Sequence, residues 1–138
     1  MNDLEKAKAV FKKGGLSCVL VKDENIYTSE KSGIKPLLEF IGDSKDYTGF
    51  CAADKIVGRA AAFCYVNLSV KEVWANVMSK EGKEILERHG ISAFCDTLTD
   101  KIINRKGTDI CPMDKAIIDI DSPGEALEIL SLKVKSMM

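Results

Sequence analysis

One stretch restricts the architecture of this chain more than any other. Residues Gly49 to Leu68 read GFCAADKIVGRAAAFCYVNL, with no proline and only Asp54, Lys55 and Arg59 charged. A short apolar run, Phe50-Cys51-Ala52, leads to Asp54. From there the pattern predicts a helix to Leu68, with Asp54 as its N-cap because a carboxylate accepts an otherwise unpaired backbone N–H. Ile56, Val57, Ala60, Ala61, Phe63, Cys64 and Leu68 recur at helical spacing and give it one wide apolar face. Such a helix belongs in the interior, and the rest of the chain must cover it.

The length of 138 residues suits one domain with a core of its own. Twenty basic residues stand against 21 acidic ones, for a net charge of -1. There is no global basic field, so nucleic acid is not an expected partner. The longest apolar run, Ile56 to Leu68, is too short to cross a bilayer and contains Arg59, so no membrane association is expected. The amino-terminal MNDLEKAKAVFKKGG alternates charges and lacks the apolar region of a signal peptide. Five cysteines (Cys18, Cys51, Cys64, Cys95, Cys111) contain no C-x-x-C pair, which reads as a reduced, cytoplasmic chain.

The remaining elements follow in order. Asp3 to Lys13 reads as a helix stopped by Gly14-Gly15. Leu16 to Val21 is a strand, Lys22 to Asn25 a turn, and Ile26 to Thr28 the returning strand of an antiparallel hairpin. A helix from Ile34 or Pro36 to Ile41 precedes a polar loop, Gly42 to Thr48. After the central helix, Val70 to Val77 is a strand and Ser79 caps a helix to His89, which Gly90 ends. Ile91 to Phe94 is a further strand, Leu98 to Ile103 a short helix and Asn104 to Ile110 a loop. Pro112 to Ile118 is another short helix, and Ser122, Pro123 and Glu125 open the last one with a capping box. Alternating strands and helices argue for an α/β domain with parallel strands, and the hairpin makes the sheet mixed.

Two places carry residues suited to chemistry. In the first, Lys55 stands where the helix dipole disfavours a cation, with Arg59 one turn on. A bound anion would offset both penalties; solvation, or a carboxylate elsewhere pairing with Arg59, would do so too. Gly58 between them allows a backbone or ligand to approach closely. In the second, NRKGTDICPMD (Asn104 to Asp114), Cys111 falls at the N-cap of the Pro112 helix, where unpaired N–H groups favour thiolate. Cys111 is therefore a candidate nucleophile, set against simple packing under that helix. Asn104, Arg105 and Thr108 form a polar, anion-tolerant loop. His89, the only histidine, sits in a last helical turn and reads as structural. A lone histidine removes multi-histidine metal sites and a Ser-His-Asp triad.

Three stretches, CVLVKDENIYTS (Cys18 to Ser29), ADKIVGRAAA (Ala53 to Ala62) and NRKGTDICPMD, resemble the prokaryotic family known as domain of unknown function 1893. The resemblance runs from Asp3 to about Leu130. It implies a three-layer α/β/α sandwich with a mixed sheet, grouped by fold with the cytidine deaminase-like proteins. Zinc deaminases carry H-x-E at the start of the central helix and P-C-x-x-C at the start of the next. Here Ala52 to Ile56 offers neither His nor Cys followed by Glu, and Asn76 to Gly82 offers no cysteine, so no zinc, and no other cofactor, is expected. The resemblance further implies that the two helix starts flank a cleft holding Asp54, Lys55 and Ser79, and it makes a homodimer an expectation.

These readings converge on a domain that binds an anionic or nucleotide-like small molecule, and that is either a non-zinc enzyme or purely a binder. Lys55 and Arg59 would hold the anion, Asp54 would cap or act as acid/base, and Cys111 would be the nucleophile. The alternative is a non-catalytic sensing or interaction module on a deaminase-like scaffold.

Overall fold

A computed structural model describes residues 1–104 and 106–137. The elements run α1 (Asp3–Lys12), β1 (Cys18–Lys22), β2 (Asn25–Ser29), α2 (Lys35–Gly42), β3 (Cys51–Val57), α3 (Arg59–Leu68), β4 (Glu72–Ser79), α4 (Lys80–Arg88), β5 (Ser92–Thr99), α5 (Pro112–Ala116) and α6 (Pro123–Ser136). The five strands form one sheet in the order β2-β1-β3-β4-β5. β1 is antiparallel to both its neighbours, whereas β3, β4 and β5 are parallel. The sheet is mixed, as expected, and the hairpin joining β1 to β2 turns at Asp23, whose φ of 56° is a left-handed conformation that Asp tolerates.

Two apolar clusters lie on opposite faces of the sheet and make the three layers. On one face α1 contributes Ala7 and Phe11, which pack on Val19, Val21, Ala53 and Trp74. The ring of Phe11 meets that of Trp74 edge-on at 5.6 Å between centroids. On the other face α3 is enclosed by the sheet, α2, α4 and α6. Every α3 residue from Arg59 to Tyr65 is buried, as is Leu68. A helix apolar on nearly all sides can be stable only in such a setting, and the run Ala60-Ala61-Ala62 lets its neighbours approach closely. α6 closes the layer with Ala126 and Leu130, both fully buried.

The structure corrects the central stretch. Cys51 to Val57 is a strand, and the helix begins at Arg59 with Gly58 as its N-cap. Asp54 therefore caps no helix: it lies within β3, opposite Cys18 of β1 and Ala75 of β4. The segment that reads as one long helix is a buried strand turning directly into a buried helix, two conformations with similar apolar content. Leu98 to Ile103 is likewise no helix. β5 extends through Thr99, and Ile103 instead bridges Ile110 across the following loop. The other boundaries agree within a few residues. Ser79 and Ser122 cap α4 and α6 by accepting N–H bonds from Gly82 and Glu125. His89 lies at 2.9 Å from the Ile85 carbonyl through Nδ1, a structural placement. Among the described residues, no helix is long and apolar enough to cross a membrane.

Leu130→Ala should remove about 2–5 kcal/mol of stability, the cost of a cavity at a fully buried leucine. Leu132→Ala on the same helix, where the side chain is exposed, should change it by less than about 0.5 kcal/mol. Urea unfolding of the two variants checks the contrast.

Candidate functional site

The parallel strands β3 and β4 each pass straight into a helix, so α3 and α4 start side by side at the carboxyl end of the sheet. Ligands favour this position in α/β folds, because loops and helix N-termini converge there. The two starts are in backbone contact: a Cβ on Gly82 would lie 3.0 Å from the Gly58 carbonyl oxygen. At Gly58 the space is tighter still. A Cβ there would lie 2.2 Å from Asp114 Oδ2 and 2.7 Å from Ile102 Cγ1. The close approach expected at Gly58 is thus made, by the segment that follows β5.

Asp114 is the residue that segment delivers. Its Oδ1 accepts the Ala60 N–H at 2.8 Å, supplying from 54 residues away the cap that Gly58 lacks. Burial pushes its carboxyl upward in pKa, opposed by the Ala60 and Arg59 amides. Asp114 reads from sequence as an ordinary first-turn acid of its own helix. The structure gives it instead to α3, a long-range pairing that no local pattern announces.

Arg59 sits beside it, 9% exposed, and holds the same segment by its guanidinium. Nε donates to the Ile117 carbonyl at 2.8 Å, Nη1 to Glu81 at 3.2 Å, and Nη2 to the Ile120 carbonyl and to Asp121. Of the readings open in the sequence, pairing with carboxylates elsewhere is the one realised. Glu81 in turn accepts from Lys101 at 2.7 Å, and that contact is the main reason its carboxyl is held below the usual range. The space remaining among Arg59, Ser79, Glu81, Lys101, Ile102 and Asp114 is about 20 Å³. That accommodates one water molecule.

Of the expected site residues, Arg59 and Ser79 meet in this cleft, with Ser79 Oγ engaged by the Gly82 N–H at 3.0 Å. Lys55 is exposed on β3, upstream of the helix, so it does not share a helical face with Arg59. Asn104 and Thr108 bond one another across an exposed turn through two contacts of 3.1 and 3.3 Å. Arg105 lies outside the described residues. Cys111 is indeed the N-cap of α5, but α5 has only five residues. Burial raises the Cys111 thiol pKa, against the lowering expected of a helix start. The thiolate needed for attack is thereby disfavoured.

Asp54 belongs to a second, fully internal group. Its Oδ2 accepts the Tyr65 hydroxyl at 2.5 Å, its Oδ1 accepts the Ile56 N–H at 3.2 Å, and Tyr65 Oη is 3.3 Å from Cys18 Sγ. Burial raises the Asp54 pKa to about 6, only partly offset by these hydrogen bonds. The thiol of Cys64 is pushed up to about 12, by burial first and by Asp54 second. Tyr65 is the functional-looking residue that sequence reading passes over. Among the described residues no group of three His, Cys, Asp or Glu side chains could hold a metal ion. The donors at the two helix starts are carboxylates already paired with Arg59, Lys101 or a backbone amide, a set that does not suit zinc.

The sequence model of TM1506, a domain of unknown function (DUF1893), matches residues 6–134. The crystal structure of a DUF1893 family protein (TM1506) from Thermotoga maritima is similar at a TM-score of 0.87 and 28% identity, covering 95% of this chain and 89% of that one. A dCMP deaminase from the cyanophage S-TIM5, in apo form, is a weak match with a TM-score of 0.45 and 13% identity, over 67% of this chain and 93% of that one. No curated protein matches the sequence.

Two measurements follow. Gly58→Ala should dislodge Asp114 and Ile102 and cost about 1–3 kcal/mol; urea unfolding, with faster amide exchange at Ala60, reads this out. Asp54 ionises at about 6 when folded against 3.8 as the ordinary value. A raised folded pKa makes its contribution fully present below pH 4 and lost as pH rises through about 6. Asp54→Asn should therefore flatten the fall in stability across that window. Above it the variant should exceed the wild type by on the order of 3 kcal/mol, measured as unfolding free energy against pH.

Proposed function

We propose, for a chain that belongs to the DUF1893 family, the binding of an anionic small molecule where α3 and α4 begin. The observation that carries this reading is the Asp114 carboxylate on the Ala60 N–H, an internal anion seated at the carboxyl end of parallel strands. A carboxylate or phosphate group from a ligand would take the same N–H once the Ile102–Asp114 segment withdraws. Arg59 and Lys101 would then supply positive charge and Ser79 a hydroxyl donor, with Glu81 keeping its pairing to the two cations. Nothing in this reading asks Cys111 or Lys55 to take part, and it assigns no reaction.

A second reading has an observation of its own. All three guanidinium nitrogens of Arg59 are engaged inside the chain, which favours a non-catalytic interaction module whose cleft has become structural. A thermal-shift screen of inorganic phosphate, nucleotides and phosphosugars separates the two. Ligand binding predicts a rise of at least about 2 °C with some member of the set, larger in Asp114→Asn, where the internal competitor is weakened. A flat response in both proteins leaves the interaction module standing and removes the anion site.

A further inference from the structure

The two side chains that fill the space over Gly58 show what chemistry that space accepts. Asp114 Oδ2 and Ile102 Cγ1 would lie 2.2 and 2.7 Å from a Cβ at Gly58, so a carboxylate and a branched aliphatic group press together on bare backbone. The carboxylate takes the Ala60 N–H at 2.8 Å. At the start of α4 the Gly82 N–H is already given to Ser79 Oγ at 3.0 Å. A ligand here therefore meets one open helix start, that of α3. Ile110 and Ile118 also line the cleft. The space that Asp114 and Ile102 would vacate thus has a polar end at α3 and an apolar remainder. Small-molecule sites are commonly built this way, with apolar walls and a few directed polar groups.

Charge narrows the class further. Asp114 aside, the cleft is lined by two cations, Arg59 and Lys101, and two carboxylates, Glu81 and Asp100. Both cations contact Glu81, at 3.2 and 2.7 Å. Just outside, Lys80 on Asp100 and Asp121 on Arg59 cancel one another. Asp114 brings a single negative charge to a balanced set, and a ligand with one charge would leave that balance as it is. A phosphomonoester brings about -1.5 to -2 at neutral pH, and the excess would fall beside Glu81 and Asp100, where like charges repel. We propose, resting on the anion-site reading above, that the ligand of this cleft is a monocarboxylic acid with a short branched aliphatic body. Its carboxylate accepts the Ala60 N–H in place of Asp114. Its body takes the place of Ile102 over Gly58, against Ile110 and Ile118. Glu81 and Asp100 select against doubly charged anions.

Amide spectra of the ¹⁵N-labelled full chain test it, in separate titrations with isovalerate, acetate and inorganic phosphate. Isovalerate should move the Ala60 resonance saturably and bind at least tenfold more tightly than phosphate, or than acetate, which has the charge without the body. Asp114→Asn should tighten isovalerate at least threefold by weakening the internal competitor. Circular dichroism confirms that this variant is folded, and the wild-type titrations decide if it is not. Phosphate or acetate that matches isovalerate at Ala60 overturns the inference and leaves the anion site standing. Isovalerate shifts that spare Ala60, or an affinity unchanged in folded Asp114→Asn, overturn it equally. If no anion moves Ala60 in either protein, the inference and the anion site fall together.

Discussion

The guanidinium of Arg59 is the interaction on which the packing around α3 depends. A buried arginine is tolerated only when its donors are satisfied, because an uncompensated charge in the interior costs several kcal/mol. Here the acceptors come from three directions: α4 through Glu81, the end of α5 through the Ile117 carbonyl, and the stretch before α6 through Ile120 and Asp121. The planar fork of arginine can address all of these at once, and the single ammonium of lysine cannot. The same contacts help fix Asp114 at the α3 start, since it immediately precedes the stretch from Ile117 to Asp121 that Arg59 grips. Cleft, cap and carboxy-terminal helix are thus one arrangement.

Two buried carboxylates illustrate how position decides what a residue does. Asp54 and Asp114 both have raised pKa values, with burial the largest cause in each. Asp54 is held by a hydroxyl and a strand amide inside the sheet layer, remote from any cation that could stabilise its charge. Asp114 has an α-helix N-terminus and a nearby guanidinium, so its charged form is partly recovered. The first belongs to the core, and the second lines the cleft.

Much of the fold was legible in the sequence. The mixed sheet, the early hairpin, the serine caps and the structural histidine all rest on local signals: turn residues, alternation and cap chemistry. The failures share one cause. Cys51 to Val57 is a strand interior at every position but Lys55 and Ile56, with no polar alternation to mark it, and Asp54 imitates a helix cap, so strand and helix merged into one periodic segment. Gly58, which ends the strand, was the available signal for the boundary. At the cleft, Ser79 was readable as a helix cap from local chemistry, whereas Arg59 drew notice as an oddly placed cation although the cap of its helix was read at Asp54 rather than Gly58. Asp114, Glu81 and Tyr65 act through contacts 11 to 54 residues distant in sequence, which periodicity cannot register.

The reach of Arg59 also bears on the order in which the chain can become native. Its partners beyond α4 lie 58, 61 and 62 residues downstream. During synthesis from the amino terminus, the sheet and α3 emerge before the carbonyls that neutralise this buried charge exist. Closing so long a loop is slow, because its entropy must be lost before any contact repays it. A nascent chain ending near residue 100 would hold all five strands yet leave the α3 face uncovered and its arginine solvated. Completion of the core waits on the last third of the polypeptide.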